Sequence, residues 1–317
     1  AGPGATVHGR EPTGPLKAGP LPADGGMMPG ADESIELSVG GQALIEGVMM
    51  RAGTRWGAAA RRPDGAIVTT GAAVPTWARR TDNVPVVRGA VAMVETIMVG
   101  LRALKWSAQV ADPDEDAEIT NRSLAITTAT ALLIFATIFA VVPAAVSRAL
   151  GFEGAVFTTV EAALRLALFG GYLLLIGRSP GIARTFAYHG AEHMVISAHE
   201  HGADLTVEGV RPFSVRHARC GTDFLLLVVV VAIVVFSFVG DASWPVLIAS
   251  RLLGLPLVAG LAYEVLKLAK RRPDSKVVAV LTAPGLALQA MTTRPPDDEQ
   301  IEVAIAALAA VQTGSDR

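Results

Sequence analysis

The alternation of apolar and polar residues changes character three times along the chain. Residues 1–33 carry no apolar period and are rich in Gly and Pro; such a stretch buries too little surface to offset its ordering entropy, which predicts a disordered tail with no signal-peptide core. From 34 to 75 the pattern becomes β-like. Ile35-Glu36-Leu37-Ser38-Val39 alternates with a period of two, Gly40-Gly41 punctuates it, and Gln42 to Met50 forms a second run. Trp56 to Arg61 and Ala66 to Thr70 flank Arg62-Pro63-Asp64-Gly65, a turn whose residues supply the angles of a tight reversal. A small antiparallel sheet is predicted here.

Over residues 85–111 the period is helical, with Val91, Val94, Ile97, Met98, Leu101 and Leu104 on one stripe, interrupted by Glu95, Arg102 and Lys105. That composition predicts an amphipathic helix at a membrane surface or packed on a bundle, followed by an acidic linker, Asp112-Pro113-Asp114-Glu115-Asp116. Continuous apolar segments come next. Ser123 to Ser147 contains no charge, Thr158 to Ile176 contains the one-turn pair Glu161 and Arg165, Phe224 to Gly240 is rich in Val and Leu, and Pro245 to Leu266 is broken by Arg251 and Pro256. A bilayer core needs about 20 helical residues, so the expectation is four transmembrane helices in two hairpins within residues 123–266. The connection 178–222 carries Arg178, Arg184, Arg211, Arg216 and Arg219, and the segment after the fourth span carries Lys267, Lys270, Arg271 and Arg272. The positive-inside rule then puts this connection and both termini in the cytoplasm of a multi-pass cell-membrane protein. Residues 277–310 read as an interfacial segment broken by Pro284-Gly285, then a helix from about Asp298.

Composition agrees with the bilayer reading: 51% of the 317 residues are hydrophobic, 18% are charged, and the mean hydropathy is +0.45, whereas ordinary soluble domains are about a quarter charged. A net charge of −2 leaves no electrostatic footprint for nucleic acid. A single cysteine, Cys220, excludes an intramolecular disulfide and fits a reducing compartment.

Histidine is where the chemistry concentrates. Of six histidines five lie between positions 189 and 217, and the centre of the group is His189-Gly190-Ala191-Glu192-His193. Positions four apart share a helix face, so both imidazoles can reach one divalent metal, most suitably zinc, with Glu192 beside them to hold or deprotonate a water. This is the H-x-x-E-H spacing of inverted zincins. A catalytic zinc takes a third protein ligand. Glu200 lies seven residues past His193, ~10 Å along a continuous helix, and reaches the site only if the helix breaks after about Ala198. Glu264, near the cytoplasmic end of the fourth span, is the first choice; His217 and Cys220, arriving by a loop, are the runners-up. Plainer readings stand beside each of these. The His pair can serve a polar interface, Cys220 can be a small buried apolar residue, and His199 and His201 can be solvated. Glu264 can pair with Lys267 or Lys270, and Glu46 can be an exposed strand residue or project into the site.

Several blocks together resemble the YqhQ-like family of uncharacterised bacterial membrane proteins. They are Gly40-Gly41-Gln42-Ala43-Leu44-Ile45-Glu46-Gly47-Val48-Met49-Met50-Arg51, then Tyr188-His189-Gly190-Ala191-Glu192-His193, Arg219-Cys220-Gly221-Thr222, Tyr263-Glu264, and Pro284-Gly285-Leu286 through Gln289 to Thr292-Thr293-Arg294. The closing Pro296 to Ala304 agrees as well, so the resemblance covers residues 36–310, and the Gly/Pro tail departs from it. Members are often labelled predicted metal-dependent enzymes, which implies a metal site. The expectation is therefore a mostly α membrane protein with a small cytoplasmic β-rich domain. Its function would be metal-dependent hydrolysis of a peptide, amide or lipid-linked substrate at the cytoplasmic face, among membrane lipids. The alternative is a non-enzymatic assembly or transport factor with a structural metal.

Overall fold

The computed structural model describes residues 39–75, 77–113, 120–217, 222–271, 285 and 288–313. The predicted tail, most of the acidic linker, most of the broken segment before Gln289, and Cys220 lie outside the described residues. The chain is mostly helical, with one four-stranded antiparallel meander in the order β1 (Val39–Leu44), β2 (Gly47–Ala52), β3 (Arg55–Arg61) and β4 (Ile67–Ala73).

Two details of the sheet differ from the sequence pattern. Gly40 and Gly41 do not punctuate β1 but lie within it, paired with Arg51 and Met50. The run from Gln42 to Met50 is split by a two-residue turn, because Leu44 pairs with Gly47 and Glu46 turns the chain at φ 50°. Side chains other than glycine rarely adopt that region. Glu46 is held in it by Arg184 Nη2 at 2.7 Å and by the Tyr188 hydroxyl, which donates at 3.2 Å.

Helix α1 (Val87–Ala111) covers one face of the sheet; the other is covered by α5 (Pro180–Glu200) and α10 (Asp298–Thr313). Strand alternation sorts the cores. Val48, Met50 and Ala59 pack with Tyr188, Ala191, Met194 and Val195 of α5 and with Ile301, Ala304 and Leu308 of α10. Met49, Trp56 and Ala58 pack with Val99 and Ala103 of α1. Glu95, which breaks the apolar stripe of α1, points inward and pairs with Arg51 of β2 at 3.2 Å. The first turns of α1 meet α9 (Leu255–Arg271), where a Cβ on Gly89 would approach the Tyr263 side chain to 2.7 Å.

The remaining helices form an apolar bundle. α2 (Asn121–Ala136) runs through a π-helical turn (Thr137–Val141) into α3 (Val142–Ala149), and α4 (Gly154–Ile176) returns beside it. After α5 and the single turn α6 (Val207–Val210) come α7 (Thr222–Ser237), α8 (Trp244–Leu253) and α9. Two of these, Arg122–Ala149 and Gly154–Ile176, are long and apolar enough to cross a membrane, and α8 with α9, bent by 46°, makes a third if the pair is one span. Four spans were expected; two to three is what helix length supports among the described residues. The 16 residues of α7 rise ~24 Å, short of a ~30 Å hydrocarbon core.

Among the described residues three charges are buried inside the bundle. Glu161 and Arg165 of α4 are paired at 2.6 Å, as their spacing predicted, and Arg251 of α8 donates to the same carboxylate at 2.7 Å. Arg165 Nε also donates to the carbonyl of Phe139 in the π-helical turn at 2.9 Å, and both guanidiniums lie over the Phe236 ring. All three residues are 0–2% exposed.

Candidate metal centre

Helix α5 opens at Ser179 with Pro180 in its first turn, where a missing N–H costs nothing, and ends at His201 before Gly202 at φ 67°. Every residue from Ala187 to Ala198 is buried. An apolar helix buried all round is ordinary; this one carries His189, Glu192 and His193 into the core, 9%, 4% and 1% exposed. The ligand atoms of these three lie within 4.8 Å of one another. The helix packs on β1, β2 and α10.

The surroundings fix both imidazoles. His189 Nδ1 lies 2.8 Å from the Thr292 carbonyl and His193 Nδ1 lies 2.7 Å from the Val215 carbonyl. A carbonyl only accepts, so each Nδ1 carries the proton and each Nε2 keeps the lone pair that a metal would use. The two rings are 4.4 Å apart, centroid to centroid. Burial drives the His193 pKa down to about 3, assisted by His189 nearby, and burial likewise lowers His189. Both are neutral near pH 7, the form that binds cations.

Glu192 is held by the opposite wall. The backbone N–H of Gly41 in β1 donates to its carboxylate, and a Cβ at position 41 would come to 3.0 Å from Glu192 Oε1. Burial dominates nonetheless, pushing the Glu192 pKa up to about 8. Glu192 Oε2 and His193 Nε2 are both buried with no hydrogen-bond partner.

Among the remaining sequence candidates the structure discriminates. Glu264 is not brought to the cluster. Arg88 takes both its carboxylate oxygens, through Nε at 2.7 Å and through Nη2, and the Val86 N–H donates at 3.2 Å. The expected partner of its plainer reading, a nearby Lys, is replaced by an Arg 176 residues earlier in the chain. α5 runs unbroken through Ala198 to Glu200, so Glu200 stays clear of the pair, but its carboxylate meets His217 Nε2 at 3.1 Å. His217 lies close by, its ring centroid 5.9 Å from that of His193. His201 donates Nδ1 to the Ser197 carbonyl, and Glu46 is spent on the β1–β2 turn.

The sequence reading missed the cradle: the carbonyls of Val215 and Thr292, and Gln289, which donates to the His217 carbonyl at 2.9 Å and accepts from its N–H at 3.0 Å. Carbonyls carry no residue-type signal. Gly41 and Gly190 do, since a Cβ at 190 would collide with the Arg294 carbonyl that crosses the helix there.

The family model described as "Protein of unknown function (DUF1385)" matches residues 84–313. The chain belongs to this family. It is 33% identical over 287 residues to the "Uncharacterized protein YqhQ" of Bacillus subtilis (strain 168), an alignment covering 84% of this chain and 89% of that protein. The family resemblance drawn from the sequence blocks is therefore shown, and it carries no assigned activity. No solved structure matches the chain.

Proposed function

We propose that the protein is a membrane-anchored metal-dependent hydrolase whose metal is held by His189 and His193, with Glu192 beside them to serve a water. One observation carries the metal: two polar atoms of consecutive residues of α5, Glu192 Oε2 and His193 Nε2, are buried without a hydrogen-bond partner. An orphaned buried polar atom costs about 1–3 kcal/mol, and a cation on His193 Nε2 with a water beside Glu192 Oε2 would relieve both. Fixed Nδ1–H donors to backbone carbonyls on both rings fit the same reading, because they are the usual outer partners of ligating histidines. An imidazole-rich set suits zinc among common divalent ions.

Bound there, a divalent cation would supply Lewis acidity, lowering the pKa of a water and polarising a carbonyl. The chain's own part is narrower. His189 and His193 stay neutral and oriented, and Glu192, one residue from His193 and raised to about 8, is placed to take up and return a proton. The apolar helices favour a substrate met at a membrane face: a peptide, an amide or a lipid-linked molecule, on the cytoplasmic side if the Lys and Arg bias sets orientation.

A structural metal is the second reading, favoured by the 1–9% exposure of the three residues. Cobalt substitution separates the two. A catalytic centre keeps an exchangeable position, so acetohydroxamate should shift the visible spectrum of the cobalt protein. A cobalt spectrum indifferent to saturating hydroxamate would favour the closed, structural site, and absence of any cobalt binding would remove both readings.

A further inference from the structure

Two imidazoles and a carboxylate that handles protons leave a catalytic zinc one protein ligand short. Resting on the metal reading above, we infer that His217 is the third ligand, coordinating through Nδ1 while Glu200 holds its Nε2.

The argument begins with reach. At a zinc–nitrogen bond of ~2.0–2.1 Å the metal lies ~3.2 Å from an imidazole centroid, so two rings on one ion have centroids no more than ~6.4 Å apart. The His189–His193 separation is 4.4 Å and the His193–His217 separation is 5.9 Å. Both fall inside that limit. His217 stands outside the trio whose ligand atoms already lie within 4.8 Å, so on coordination its ring would turn inward with Nε2 kept on the Glu200 carboxylate. The movement is confined to the side chain, because Gln289, itself fully buried, clamps the His217 backbone through both its N–H and its carbonyl.

Orientation follows the same rule at all three histidines. The nitrogen that does not coordinate donates to a fixed acceptor: His189 to Thr292, His193 to Val215, and His217 to the Glu200 carboxylate at 3.1 Å. A carboxylate in that position fixes the tautomer and raises ligand basicity. This also gives Glu200 a role that its distance along α5 denies it as a ligand. It is a positioning residue, reaching the metal only through His217. Segment 215–217 thereby does two things: one residue orients His193, and another two positions later completes the set. Three neutral imidazoles leave the full dication charge facing Glu192, the arrangement that most favours ionising a water there.

The test is zinc K-edge X-ray absorption on the purified full-length protein loaded with zinc in detergent. Three imidazoles per zinc are expected, and His217→Ala should show two, with zinc affinity lowered at least 10-fold. Glu200→Gln should retain three imidazoles with affinity lowered about 10- to 100-fold, the usual effect of losing an outer partner. Two imidazoles in the wild type overturn the assignment, and this measurement needs no variant to fold. Unchanged affinity in His217→Ala overturns it too. A wild type that takes up no zinc fails the metal reading itself, and this inference with it.

Discussion

Replacing Glu161 by Gln removes the one anion between two buried guanidiniums. The native cluster of Glu161, Arg165 and Arg251 carries a net charge of +1 at 0–2% exposure; the variant would carry +2. Each ion pair, with charges ~4 Å apart, is worth about 4 kcal/mol at an effective dielectric of 20. The glutamine amide still accepts one or two of the hydrogen bonds that now run at 2.6 and 2.7 Å. The net loss should therefore match the ~3–5 kcal/mol found when one partner of a buried pair is deleted. For a chain of 317 residues that is a fall of roughly 4 to 8 °C in the unfolding midpoint. Arg251→Met is the control. It removes a cation, leaves the neutral Glu161–Arg165 pair on α4, and keeps volume beside Phe236, so it should cost less than Glu161→Gln. Thermal unfolding of the detergent-purified protein, followed by tryptophan fluorescence or by aggregation, reads both. A Glu161→Gln protein as stable as wild type, or one more stable than Arg251→Met, would refute the charge argument.

Glu264→Ala should lower stability by breaking its tie to Arg88 and Val86 while leaving metal content unchanged; zinc lost from this variant would restore Glu264 to the site. Gly41→Ala should lower stability, because a Cβ there would meet the Met49 carbonyl of β2 at 2.3 Å; an unfolding midpoint equal to wild type would contradict that packing. In metal-free protein the His193 pKa is depressed from 6.5 to about 3, so its contribution to stability is complete above pH 6.5 and is lost as pH falls toward 3. Urea midpoints measured in chelator should accordingly fall less between pH 7 and pH 5 for His193→Gln than for wild type, and parallel curves would deny the linkage.

The sheet and the helix of the candidate site were legible because each rests on a local signal. Pro63-Asp64-Gly65 marks the β3–β4 turn, where Gly65 adopts φ 88°, and the spacing of His189 and His193 fixes a shared helix face whatever surrounds it. Gly40-Gly41 misled for the opposite reason. Glycine usually interrupts strands, but at Gly41 a Cβ would meet the Met49 carbonyl of β2 at 2.3 Å and Glu192, 151 positions away in the chain, at 3.0 Å. Glu264 misled in a similar way. Its place in the fourth apolar segment suggested a metal ligand, yet its partner is Arg88, from a helix whose packing against α9 brings Gly89 and Gly260 close together. Nor does hydropathy locate α5. Its buried length packs on a soluble-type sheet, while its flanks lead into apolar helices, and an average over the window cannot tell these surroundings apart. Span count suffered from the same limit, since Pro256 leaves the composition apolar while α8 and α9 meet at a 46° bend.

Metal analysis of the purified wild type beside His193→Ala tests the central claim most directly. With Nε2 of His193 the orphaned atom on which the site is built, the wild type should carry about one equivalent of zinc after equilibration and the variant almost none. Equal zinc in the two proteins, or none in either, would contradict it.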